Sequence, residues 1–540
     1  MNDKIHVYQS IARAVCDHDA TTMFGVMGDA NLFMVDHYVR ACAGQFVPAA
    51  HEGSAVLMAL AYALVSGSVG VASVTHGPAL TNCVTALTEG ARGHIPLVLL
   101  AGDTPDANPR HLQSIDQREV IKSTGAGFEQ LRTPDTAGTD VARAFYRAQV
   151  ERRPIVLNMP ADFMWRETRH ECRVLDVFSA PGGVAEGDTL DQAIGMIASA
   201  RRPLILAGGG AIAARDSLIR LADRLEAPLA TTLKAKGLFR GHPCDMDIFG
   251  TLSTPAAYEL IAKVDCIVCF GASLHDFTTD RGALMKNKRV IQVDINPTAI
   301  GGGVHPDAAL NADAGLTAET ILYWLDAAEV APSGFTREVD RAVLTTHPAA
   351  PDRTAEGRVN YVKALDRLEQ ALPGDRIIVT DGGRFMTEVW CRLSAPDPKS
   401  FISTANFGSI GLGLAEAIGA GLAAPGRPVV LFTGDGGFMI GGINEFNTAV
   451  RLGLDLIVIV ANDAAYGAEH IQFRDRQMDP GLTQFDWPSF AEVAKALGGN
   501  GIEVRSMAEL GSALAALETR DRPTLIELHL DPNDVPRMRI

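Results

Sequence analysis

The stretch VVLFTGDGGFMIGGINEFNTAVRLGLDLIVIVANDAAYG, Val429 to Gly467, restricts the fold more than any other part of the chain. Its first apolar run, Val429 to Phe432, reads as a strand buried on both faces, the kind found in parallel sheets. The run ends at Gly434, Asp435, Gly436 and Gly437, where a backbone-exposing turn is expected. A helical segment follows around Asn444 to Leu452, then a second buried strand, Leu456 to Ala461, which ends at Asn462 and Asp463. Two carboxylates, Asp435 and Asp463, are thereby expected to finish neighbouring strands at one sheet edge, where open α/β sheets place their chemistry.

Such an edge suits Mg²⁺, which takes one or two protein carboxylates and leaves its other positions to phosphate oxygens, water or a main-chain carbonyl. Glycines beside Asp435 let amide groups and a helix N-terminus face a diphosphate. An isolated Gly-Asp-Gly is more often an ordinary strand-to-helix turn, so the weight rests on its combination with a strand ending in Asn-Asp.

That combination resembles the metal-diphosphate motif of thiamine diphosphate enzymes, and specifically the acetolactate synthase and 2-oxoacid decarboxylase branch. Asn462 lies 27 residues after Asp435 and Asp463 lies 28 after it. Relatives have one residue fewer before the helical Glu445, so Gly441-Gly442-Ile443-Asn444 reads as a one-residue insertion. Counting from Glu445 implies Asp463 as the metal ligand and the Ala465 carbonyl as the main-chain ligand, with Asn462 the alternative. Tyr466 and Gly467 follow as cofactor-binding residues, and Glu469 would reach the substrate.

The 540 residues exceed one core, and three domains are expected: 1–170, pyrimidine-binding; 186–330, central and Rossmann-like; 356–540, diphosphate-binding. Ala331 to Asp352 reads as a linker. Short strands alternate with helices throughout, which predicts α/β domains with doubly wound parallel sheets. A net charge of −16 argues against nucleic acid and anionic membranes as partners. No apolar run approaches the ~20 residues of a membrane helix, and the amino terminus has no secretory pattern. Eight scattered cysteines fit a reducing cytoplasm. Cys266 and Cys269 lie within an apolar strand and read as structural thiols.

In the first domain the helix EGSAVLMALAYALVSG is apolar almost all round, so it is expected to be buried on every side, against another subunit. At its start His51-Glu52 resembles the family's His-Glu segment, which implies that Glu52 protonates the aminopyrimidine of the cofactor. By itself Glu52 reads rather as a helix-start acid favoured by the helix dipole, and it is the resemblance that assigns it the proton. Asp29, in Met27-Gly28-Asp29-Ala30-Asn31, is either a proton donor or the N-cap of the next helix. His76 ends a strand where an imidazole could serve as acid or base, or be structural. Gln113 matches a glutamine near the reacting carbonyl in relatives, and Gln117 is the fallback.

Gly208 to Ala211 forms a Gly-rich turn without dinucleotide spacing. The resemblance leaves FAD or ADP open for the central domain. Gly271 to Phe277, however, lacks the first arginine of the synthases' segment, which argues against FAD and against a strict acetolactate synthase. In the last domain Asp381, Gly382 and Gly383 resemble the turn that holds the aminopyrimidine. Ile410, between Gly408 and Gly411, would be the apolar wedge that bends the cofactor.

The expectation is a thiamine diphosphate and Mg²⁺ enzyme acting on a 2-oxo acid or ketone, an acetolactate synthase-like carboligase. The alternatives are decarboxylation to an aldehyde, cleavage of a 1,2-dione, or a catalytically inactive binding homologue. The resemblance implies a homodimer or homotetramer with sites between subunits.

Overall fold

The structure, a computed structural model, describes residues 4–105, 107–108, 110–175, 183, 185–349 and 354–537. Three six-stranded sheets, parallel throughout, form in chain order. In the first, the spatial order is Gln45–Pro48, Thr22–Gly25, Gly70–Val74, Leu97–Asp103, Pro154–Pro160, Gly127–Gln130. The third repeats that winding with Phe401–Ser403, Ile377–Thr380, Val429–Gly434, Leu456–Asn462, Thr524–His529, Asn500–Val504. The central sheet winds differently: Asp245–Ile248, Leu229–Thr231, Pro203–Ala207, Cys266–Phe270, Arg289–Val293, Ala308–Leu310. Its strands run third, second, first, fourth, fifth and sixth, the dinucleotide-fold order.

In the third sheet the strand order reverses between Ile377–Thr380 and Val429–Gly434, which are adjacent in space. Connections leave a reversal point toward opposite faces and open a crevice at the carboxyl ends. Asp381 and Asp435 follow these two strands directly.

The apolar helix Glu52–Ser66 is buried along almost its whole length. Its cover is the helix Gly413–Ala423 of the same chain, and one hydrophobic cluster runs through both end domains. All-round burial therefore has an intrachain cause, where the sequence suggested a second subunit. Close approach depends on Gly419, where an added Cβ would lie 2.0 Å from the Met58 carbonyl oxygen.

Other differences are local. The turn expected after Gly434 is absent, because a helix starts directly at Asp435. That helix passes through a π-helical segment, Phe438–Gly442, before continuing as Ile443–Arg451. A π turn is the form that one extra residue takes inside a helix, and it coincides with the insertion inferred at Gly441 to Asn444. Within 331–349, Phe335 and Leu344 are buried in the central domain's core, so this part packs rather than hangs free. Residues 350–352 of the expected linker lie outside the described residues. Among the described residues no helix is long and apolar enough to cross a membrane.

The Gly-rich turn of the central domain has a packing role. A Cβ on Gly208 would lie 2.1 Å from the Gly271 carbonyl oxygen, so the two loops meet backbone to backbone. Cys266 and Cys269 are buried free thiols, with burial pushing Cys266 up to about 12 and Cys269 higher still.

Candidate active site

At the crevice of the third sheet, Asp435 is buried and its Oδ2 accepts from the Trp487 indole at 2.9 Å and from the Ala465 amide at 3.2 Å. Asp463, also buried, accepts from Arg384 Nη2 at 3.0 Å. Burial, reinforced by Asp463, pushes the Asp435 carboxyl up to about 7. Burial also raises Asp463, against the pull of Arg384. Two buried acids, one of which raises the other, favour a cation between them. A Cβ on Gly467 would lie 2.7 Å from Asp463 Oδ2, and Gly436 lies under the Tyr466 ring.

Asn462 is used otherwise. Its Nδ2 donates to Glu527 Oε1 at 2.7 Å and its Oδ1 accepts from the Ala464 amide at 3.0 Å. Those bonds turn the chain sharply, and Ala464 sits at φ 53°, a conformation that costs a side-chain-bearing residue roughly 1–3 kcal/mol. The turn directs Asp463 to the same edge as Asp435.

Asp381 organises the second loop. Its buried carboxylate accepts from the amides of Gly382 at 2.8 Å, Gly411 at 3.0 Å and Leu412 at 3.2 Å, and from Thr433 Oγ at 3.0 Å. Burial raises the Asp381 carboxyl, and these donors oppose the rise. Gly408 and Gly411 take φ values of 79° and 83°, which a side chain rarely adopts. Half-buried Ile410 is thereby set against Gly382, whose added Cβ would lie 3.3 Å from Ile410 Cγ2. Gly383, at φ 147°, ends the turn and leads into Arg384.

Arg384 is 5% exposed, yet only Nη2 is bonded, to Asp463 and to the Pro532 carbonyl. Its Nε and Nη1 are buried without a hydrogen-bond partner. Burial lowers its proton affinity and Asp463 restores part of it. Sequence reasoning missed both Arg384 and Trp487. Their partners lie 79 and 52 residues away, and only the adjacency of Arg384 to the Asp-Gly-Gly turn pointed toward the site.

In the first domain Glu52 is half-buried and accepts from Asn82 Nδ2 at 2.9 Å. Glu445 Oε1, on the helix that begins at Asp435, accepts from the amides of Ala50 and His51 at 3.0 and 3.2 Å. Asp29 is exposed and is not the N-cap, a position taken by Asn31. His76 is 5% exposed with Nδ1 unpartnered, and its ring lies 5.2 Å from that of His111. Half-buried Gln113 adjoins them, its carbonyl oxygen 2.3 Å from where a Cβ on Gly77 would stand. Gln117 is committed to the Gly77 amide, the Gly102 carbonyl and Asn158. Glu469 is exposed on the helix Gly467–Asp475.

An acidic pair, a glycine-lined strand end and a half-bonded guanidinium define a site with the chemistry to hold a cation and a polyanion. Residues 5–120 match the N-terminal TPP binding domain of thiamine pyrophosphate enzymes, 190–321 their central domain, and 381–528 their C-terminal TPP binding domain. The chain is 30% identical over 533 residues to sulfoacetaldehyde acetyltransferase of Alcaligenes xylosoxydans xylosoxydans, covering 91% of this chain and 87% of that protein. It is 29% identical over 536 residues to a probable 2-ketoarginine decarboxylase of Pseudomonas aeruginosa, covering 96% and 93%. With the acetolactate synthase large subunit of Parasynechococcus marenigrum it shares 29% over 539 residues, covering 95% and 85%. The chain belongs to the thiamine pyrophosphate enzyme family.

Proposed function

We propose that the protein is a thiamine diphosphate- and Mg²⁺-dependent carboligase acting on a 2-oxo acid or ketone. The observation that carries the reading is the buried acidic pair Asp435 and Asp463 at the strand reversal, with unpartnered donors of Arg384 beside it. Asp435, Asp463 and the Ala465 carbonyl would hold the metal. The amides of Gly434, Gly436 and Gly437 and the Arg384 guanidinium would take the diphosphate, a charge-assisted contact. Gly382, Gly383, Gly408, Ile410, Tyr466 and Gly467 would line the remainder of the cofactor cradle.

Glu52 is the acid that exchanges a proton with the aminopyrimidine. It sits at the Glu445 end of the helix that starts at Asp435, about 15 Å along the axis from that carboxylate. A second copy of the chain, bringing its own Glu52 to each diphosphate site, accounts for that separation, so the working unit is a homodimer or a pair of them. When bound, the cofactor supplies a carbon nucleophile for the substrate carbonyl. His76 and Gln113 position that carbonyl, and Asp29 moves a proton or orders water. The cytoplasm is the proposed location.

Decarboxylation to an aldehyde is the second reading, favoured by the unpartnered Nδ1 of buried His76 next to His111. Cofactor-loaded protein incubated with pyruvate separates the two. Acetoin or acetolactate supports ligation, acetaldehyde supports decarboxylation, and no turnover rejects pyruvate as donor. Absence of thiamine diphosphate uptake with magnesium present, measured by calorimetry, overturns both.

A further inference from the structure

Two strands from the crevice, at the far edge of the third sheet, a second set of ionisable groups converges. The register places Glu503 directly beside Glu527, so both carboxylates stand on one sheet face. Like charges opposite one another in a sheet destabilise it unless something lies between them. His529, two residues beyond Glu527, projects from the same face. Its Nε2 lies 3.6 Å from Glu527 Oε1 and 3.7 Å from Glu503 Oε2, and one donor atom from each of the three residues falls within 4.8 Å of the others.

His529 is 8% exposed, and its Nε2 is buried with no hydrogen-bond partner while aimed between two carboxylates. Glu527 is fixed from behind by Asn462 Nδ2 at 2.7 Å and by the Ala491 amide at 3.1 Å, the kind of outer support that orients metal ligands. Glu503 is one-third exposed and paired with the exposed Arg505, so the site opens to solvent on that side. Ligands of a tetrahedral zinc ion stand about 3.4 Å apart, so the imidazole is already within a few tenths of an ångström of that spacing from each carboxylate, and the half-open Glu503 side chain can close the remaining gap.

We propose that Glu503, Glu527 and His529 form a second metal site, separate from Asp435 and Asp463, for a divalent cation of the zinc type, with water completing its coordination. One imidazole with two carboxylates suits such an ion better than Mg²⁺, which prefers oxygen alone. The site goes beyond the proposed activity and does not depend on it.

The test is a titration with Co²⁺ as spectroscopic probe, on protein held in excess magnesium and thiamine diphosphate, followed by visible absorption and binding heat. One equivalent is expected to bind with bands of a nitrogen-containing site, and His529→Gln is expected to weaken that uptake by at least about tenfold. Glu503→Gln, at the half-open side of the site, gives the same comparison if His529→Gln folds poorly. Uptake that is absent in the unaltered protein, or unchanged in a folded variant, overturns the proposal.

Discussion

Arg384 and Asp463, distant in sequence, form a buried pair in which Nη2 donates to Oδ2 at 3.0 Å while the guanidinium's Nε and Nη1 remain unbonded. An arginine rarely keeps two buried donors idle, because each costs about 1–3 kcal/mol unless a partner arrives. Arg384→Gln removes the charge and shortens the donor. Thiamine diphosphate affinity measured by calorimetry at saturating magnesium is expected to fall about 10- to 100-fold, the value of a charged hydrogen bond. Unchanged affinity would remove Arg384 from the diphosphate site and leave it as a partner of Asp463 alone.

The two candidates at the end of strand Leu456–Asn462 are separable in the same way. Asn462 is bound to Glu527 and to the Ala464 amide, whereas Asp463 faces the crevice beside Asp435. Asp463→Ala is expected to raise the magnesium needed for half-maximal cofactor binding by tenfold or more, on the order of a lost ligand. Asn462→Ala should instead lower thermal stability, since Glu527 loses a donor, by about 1–3 kcal/mol. A reversed pattern would move the metal to Asn462.

Much of this edge was legible from residue order alone. Buried apolar runs followed by Gly-Asp-Gly-Gly and by Asn-Asp give strands and their ends by periodicity, and periodicity is local. The spacing conflict before Glu445 was visible in the sequence, and the π-helical segment Phe438–Gly442 lies at the same place in the chain. What could not be read is pairing at long range. Trp487 on Asp435 and Arg384 on Asp463 depend on how separate strands are ordered in the sheet, which no periodicity encodes. The apolar helix Glu52–Ser66 shows the same limit: its composition required cover, and composition does not say which helix supplies it.

Glu52 is expected to act on the proton inventory of the cofactor and little on its grip. Glu52→Gln keeps the size and the acceptor for Asn82 but cannot exchange a proton at neutral pH. Turnover should fall by about 10²-fold or more, the range for loss of a positioned acid, while calorimetric affinity for thiamine diphosphate stays within a few fold. Equal turnover in the variant would refute the role.

Asp245 in the central domain offers a pH test of stability. Burial first, and the nearby Asp247 second, push its carboxyl from 3.8 to about 6. Between those values the unfolded chain releases the proton before the folded one, so stability is full below about pH 4 and is lost as pH rises to about 6. Asp245→Asn retains an acceptor for the Asp247 amide, now 2.9 Å away, and removes the charge. Urea unfolding should show a gain of about 1–3 kcal/mol at pH 8 and little at pH 4. A gain independent of pH would mean that the charge is not what costs stability there.

The contact between the two end domains can be probed with two glycines of one helix, Gly413–Ala423. Alanine at either position improves helix propensity by about 0.5–1 kcal/mol. At Gly421 the added carbon would meet side chains at 3.4 to 3.7 Å, ordinary contact, so Gly421→Ala is expected to be neutral or stabilising. At Gly419 it would stand 2.0 Å from the backbone oxygen of Met58, which cannot rotate away. Gly419→Ala must therefore push helix Glu52–Ser66 outward, at about 1–3 kcal/mol for overpacking. Glu52 begins that helix, so the displacement should also lower turnover, whereas Gly421→Ala leaves it intact. Opposite signs of the two melting-temperature shifts would establish the backbone contact, and shifts of the same sign would show that the helices are farther apart than this packing requires.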